Sequence, residues 1–103
     1  MAKIKLDADP TFSCDVGIPV PGNGTQLVKF TFKHRTRTEV NAWGQEVKDA
    51  DDLAAVKGCV VGWELDDAFT DENIVKLCDN YAGAGFAIIT AYFEELRGAR
   101  AKN

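Results

Sequence analysis

The sequence predicts an α+β domain: an N-terminal antiparallel β-hairpin packed on about four α-helices. Three observations carry this expectation. Two period-two apolar runs flank a Pro/Gly-rich turn. Four stretches with helical apolar spacing follow them. The strands come first and the helices after, which segregates the two kinds of element rather than weaving them together. The chain has 103 residues, a length that suits one domain with one core. Residues 1–10 are expected to form a loose arm or an edge strand, residues 11–98 the domain, and residues 99–103 a basic tail.

In the first strand Phe12, Cys14, Val16 and Ile18 share one face, with Thr11, Ser13 and Asp15 on the other. Pro19-Val20-Pro21-Gly22-Asn23-Gly24 follows. Its prolines end the strand, and its glycines and asparagine tolerate positive φ, so it reads as the hairpin turn. In the second strand Val28, Phe30 and Phe32 alternate with Lys29, Thr31 and Lys33. Were the strand to run on, Arg35 and Arg37 would join that basic face.

Thr36-Arg37-Thr38-Glu39 fits a capping box, and Val40, Trp43 and Val47 continue at helical spacing. Gly44 inside that run costs roughly 1 kcal/mol relative to Ala. A second helix is expected to start near Asp49–Asp52, with Leu53, Val56 and Val60 as its stripe and Gly62 as its stop. Residues 63–69 read as a loop with aromatic anchors. Thr70 caps a third helix, whose stripe is Ile74, Leu77, Cys78 and Tyr81. The fourth stripe is Phe86, Ile89, Phe93 and Leu96, closed by Gly98.

Charge is segregated. Residues 1–48 carry seven Lys/Arg against five Asp/Glu, residues 49–96 two against eleven, and residues 97–103 three basic residues alone. An acidic middle is a poor match for phosphate, so nucleic acid is not the expected partner. In the basic strand the rings and cations lie on opposite faces, whereas an RNA-binding sheet needs both on one face. No apolar run is long enough for a membrane span. No apolar h-region follows Met1, so no signal peptide is expected.

Catalytic chemistry is hard to assemble. His34 is the single histidine, and Cys14, Cys59 and Cys78 have no metal-like or catalytic spacing. Asp49-x-Asp51-Asp52 lacks the glycine and distal glutamate of a calcium loop. Gly83-x-Gly85 follows no strand and completes no dinucleotide fingerprint. No enzyme activity, metal or cofactor is expected. The aromatic and acidic loop holding Trp63, Asp66, Asp67 and Phe69, together with Tyr81, is the candidate partner-binding surface. Arg97, Arg100 and Lys102 are candidates for weak head-to-tail self-association, meeting the Asp66/Asp67 pair of a second copy. From the residues alone, a small cytosolic regulatory or adaptor domain is the alternative.

Three segments resemble the tail assembly chaperone family of long-tailed (siphovirus-type) bacteriophages and prophages. They are Gly62–Asn73, with Trp63-Glu64-Leu65-Asp66-Asp67-Ala68-Phe69; Asp79–Ala84; and Ala91–Asn103, with Tyr92-Phe93-Glu94-Glu95-Leu96-Arg97. Phe30–Arg37 is similar too, so the resemblance runs from about Thr11 onward. The chain departs from the family pattern at Ala82, where proline after the tyrosine is expected. The resemblance implies a non-enzymatic protein of the bacterial host cytoplasm, absent from the mature virion. It implies binding to the tape measure protein and recruitment of the tail tube protein. It further implies a longer product made by a −1 frameshift near the end of the short form.

Overall fold

A computed structural model describes residues 4–98. Strands β1 (Thr11–Pro19) and β2 (Thr25–Lys33) form the expected hairpin. They are followed by α1 (Arg37–Val47), α2 (Asp52–Cys59), β3 (Val60–Trp63), α3 (Asp71–Asn80) and α4 (Ala84–Arg97). The sheet is antiparallel throughout, in the order β1-β2-β3.

The hairpin pairs Phe12 with Phe32, Val16 with Val28 and Pro19 with Thr25. Its turn closes through Val20 N–H to the Gly24 carbonyl and Asn23 N–H to the Val20 carbonyl, each at 2.8 Å. Gly22 and Gly24 sit at φ of 81° and 68°, the left-handed region that a side chain would strain. The period-two pattern decides the faces: Val16, Ile18, Phe30 and Phe32 are buried. On the opposite face the Ser13 and Thr31 hydroxyls hydrogen-bond at 2.9 Å.

Local caps place three helices where the sequence puts them. The Thr36 hydroxyl accepts from Glu39 N–H at 3.1 Å while the Glu39 carboxylate accepts from Thr36 N–H at 2.9 Å. Asp51 accepts from Ala54 N–H at 2.9 Å, and Thr70 from Asn73 N–H at 3.1 Å.

Three expectations are corrected. Gly62 does not stop α2. That helix ends at Cys59, and Val60–Trp63 forms a third strand on the free edge of β2. Val60 pairs with Phe32 and Gly62 with Thr31, leaving Val61 as an extra, outward-facing residue in a bulge. Four residues with a bulge show no readable alternation; long-range pairing makes the strand.

The second correction is the buried face of α4. Phe86, Ile89, Phe93 and Leu96 flank that face. The residues inside are Ala84, Gly85, Ile88, Ala91 and Tyr92. Small residues let the helix approach closely, and Tyr92 fills the space with its ring stacked parallel to Phe12 at 6.0 Å and tilted on Phe32 at 5.3 Å. Phe86 is 74% exposed.

The third concerns the basic strand face, which ends with β2 at Lys33. Arg35 turns inward, with its guanidinium 4.1 Å over the Trp43 ring and Nη1 donating to the Tyr92 hydroxyl at 3.0 Å. One aromatic face and a hydroxyl are better company for its flat cation than a continued strand.

Candidate functional site

The Trp63 surface is built by the end of β3 and by α3. Pairing with Phe30 fixes the Trp63 backbone, and Glu64 N–H extends the ladder to the Lys29 carbonyl at 3.0 Å. The chain then folds back, and the Asp67 carbonyl accepts the Trp63 indole N–H at 2.8 Å. Phe69 meets the indole edge-on, with centroids 5.1 Å apart. Asn73 ties this loop to α3 by donating to the Ala68 carbonyl at 2.7 Å. Tyr81 ends α3, its N–H bonded to the Leu77 carbonyl at 3.0 Å.

Trp63, Asp67 and Tyr81 thereby line one open hollow of about 290 Å³, with Leu65 and Leu77 as further apolar wall. Phe69 packs behind Trp63, and Asp66 is exposed in the same loop. The five sequence-predicted residues thus belong to one surface region, three of them in the hollow itself. Lys76, Asn73 and Asn80 also line it. They bring a cation and two amides that the sequence analysis did not place there.

Of the basic set, Arg97 is exposed at the end of α4, with its guanidinium 5.0 Å from the Phe93 ring. Arg100 and Lys102 lie outside the described residues.

A larger concavity was missed by the sequence analysis. It runs between α1 and α4, with volumes of about 560 and 430 Å³ in two hollows that share Gly44, Phe86, Ile89 and Phe93. Its signal was present in the sequence. The Phe86–Ile89–Phe93 stripe, read as core, and a glycine in the middle of α1 are its two walls.

Cys59 and Cys78 are poor nucleophiles. Burial pushes Cys59 up to about 12, and burial with the Asp52 charge raises Cys78. Burial raises Tyr92 as well, with Arg35 pulling the other way. Among the described residues no group of three or more His, Cys, Asp or Glu could hold a metal ion, and no helix is long and apolar enough to cross a membrane.

Accessible aromatic rings lie around open hollows on this α+β scaffold, a surface of the kind on which proteins seat partners. The sequence model of the phage tail assembly chaperones matches residues 1–103, the whole chain. The chain belongs to the phage tail assembly chaperone family. No match is found among curated proteins or among solved structures.

Proposed function

We propose that this protein is a non-enzymatic chaperone that holds the tape measure protein during tail assembly and helps recruit tail tube subunits. It acts in the host cytoplasm and leaves before the virion is complete. The observation that carries this reading is the Trp63–Asp67–Tyr81 hollow. Its aromatic walls suit an apolar stripe on a helical partner, and the Asp66/Asp67 rim selects basic flanks. A long rod with such stripes needs cover until the tube encloses it. Tube recruitment runs through a longer, frameshifted product that shares this domain. Ala101-Lys102-Asn103 is encodable with the slippery run A AAA AAC, and sequencing the coding DNA tests for that run. Copies associate weakly along the rod, with Arg97, Arg100 and Lys102 on the basic side.

Co-expression with tape measure fragments followed by pull-down tests the central claim. A complex that weakens in Asp66→Lys/Asp67→Lys and in Phe69→Ser supports it. No complex with any fragment at low salt overturns it. Binding that survives Trp63→Ala in a folded variant moves the contact to another surface.

A further inference from the structure

The trough between α1 and α4 is open in the single chain at a cost. Phe86 leaves 74% of its surface in water. Gly44 sits mid-helix, where glycine costs roughly 1 kcal/mol relative to Ala. Nothing in the fold requires it: a Cβ at Gly44 would meet only the Phe93 ring, at an ordinary 3.9 Å. The missing side chain keeps the floor of the trough clear for something from outside the domain.

The trough is also polar along its length. Asp51 and Asp52 border its end beside Phe86, with Lys48 as the one cation there. At the other end it passes Glu94 and opens, through Val40 and Asn41, into a third hollow of about 510 Å³ bordered by Arg37 and Arg97. An extended occupant should therefore be basic at one end, apolar in the middle and acidic at the other.

One segment of this chain runs from cation to carboxylates. In Ile4-Lys5-Leu6-Asp7-Ala8-Asp9 the apolar Ile4 and Leu6 flank the cation, and the carboxylates come last. Ile4 and Leu6 are 96% and 103% exposed, the two most exposed large apolar side chains described. In an extended chain they fall on one side, with Lys5, Asp7 and Asp9 on the other. Six extended residues span about 20 Å. The stretch of α4 from Phe86 to Arg97 runs about 16 Å, so the lengths agree.

We propose that this trough receives the N-terminal arm of a second copy of the chain. Ile4 and Leu6 cover Phe86, Ile89 and Phe93. The charged side chains, on the arm's outer side, meet the rim rather than the floor: Lys5 on the Asp51/Asp52 side, Asp7 and Asp9 on the Arg37/Arg97 side. The arm's internal Lys5–Asp9 ion pair, 2.7 Å and exposed, is weak enough to give way. In the single chain the arm stands clear of its own trough. Arm and trough are different surfaces, so the contact is heterologous and propagates as an open head-to-tail series. The inference rests on the reading that copies associate, and it replaces the Asp66/Asp67 pair by the arm as the acidic side.

Sedimentation of the full chain, with Leu6→Asp as the arm variant and Phe86→Asp as the trough variant, tests this. Both sites are exposed, so both variants keep the fold, which circular dichroism verifies. The wild type should form concentration-dependent species beyond a dimer, and each variant alone should associate about tenfold or more weakly. An equimolar mixture of the two should recover association but stop at a heterodimer, because one intact arm and one intact trough remain. Variants that assemble like the wild type overturn the arm-and-trough contact while leaving association standing. A wild type that is monomeric at every concentration and salt overturns both. A mixture that recovers nothing overturns the exchange between copies. So does a Phe86→Asp variant that loses tape measure fragments and keeps self-association.

Discussion

The Tyr92 hydroxyl donates to the Lys33 carbonyl at 2.8 Å and joins α4 to the end of β2. The same oxygen accepts from Arg35 Nη1 at 3.0 Å, and Arg35 in turn lies over Trp43 of α1. One phenol thus ties sheet, connector and two helices. Tyr92→Phe keeps the ring and strands both partners. The expected loss is about 1–3 kcal/mol, the cost of a part-buried polar group left unmade. In a domain of this size each kcal/mol lowers Tm by about 4–8 °C. A thermal melt of Tyr92→Phe that overlays the wild type would remove the latch.

The outer face of α4 is dispensable for folding, and the inner face of the sheet is not. Phe86→Ser is expected to change stability by less than about 0.5 kcal/mol, as exposed substitutions do. Phe30→Ala, at a fully buried site, should cost about 3–5 kcal/mol. Gly44→Ala should raise stability by up to about 1 kcal/mol, since its Cβ finds ordinary contact. Urea midpoints of the three variants check the contrast. A Phe86→Ser variant as damaged as Phe30→Ala would return that stripe to the core.

Cys59 should resist alkylation in the native state. Its thiol, pushed up to about 12 by burial, holds almost no thiolate near pH 8. Iodoacetamide followed by mass spectrometry should show Cys59 labelled only after unfolding. Native labelling of Cys59 at the rate of a free thiol would mean that the sheet–helix interface opens.

The α1 capping box should leave a mark on acid stability. Hydrogen bonds from the Thr36 backbone and side chain hold the Glu39 carboxyl below its ordinary 4.5. A depressed folded value means that the contribution is fully present above the unfolded value. It is lost as pH falls through the folded one. Urea midpoints measured from neutral pH downward should therefore fall less steeply in Glu39→Gln than in the wild type below about pH 4.5. Parallel acid limbs in the two proteins would remove the carboxylate from the cap. Thr36→Ala should cost about 1 kcal/mol at neutral pH.

Much of the candidate site was legible in the sequence. Trp63, Asp67 and Tyr81 line one hollow because the loop between Trp63 and Thr70 is short and caps itself onto α3, as the Thr70 signature and its carboxylates indicate. Lys76 and Asn80 were not foreseen there, because the side of α3 that meets the loop depends on how the helix seats against α2. The α1–α4 trough was hidden for a related reason. Its walls, Gly44 and Phe93, lie on different helices, and the Phe86 stripe looks identical whether it faces core or water.

The sequence by itself determined what depends on near neighbours. Alternation set the two faces of the hairpin, glycines set its turn, and the Thr36, Asp51 and Thr70 caps set three helix starts. Each is an interaction within about four residues, written where it acts. Only the tertiary structure decided which face of α4 turns inward, that Val60–Trp63 becomes a strand, and that Arg35 leaves the basic edge. Those outcomes come from surfaces meeting across the chain, as Tyr92 and Lys33 meet over 59 residues. Close packing selects the small-residue face of α4 because alanines let the helix approach the sheet, with Phe93 at its margin and Phe86 left outside.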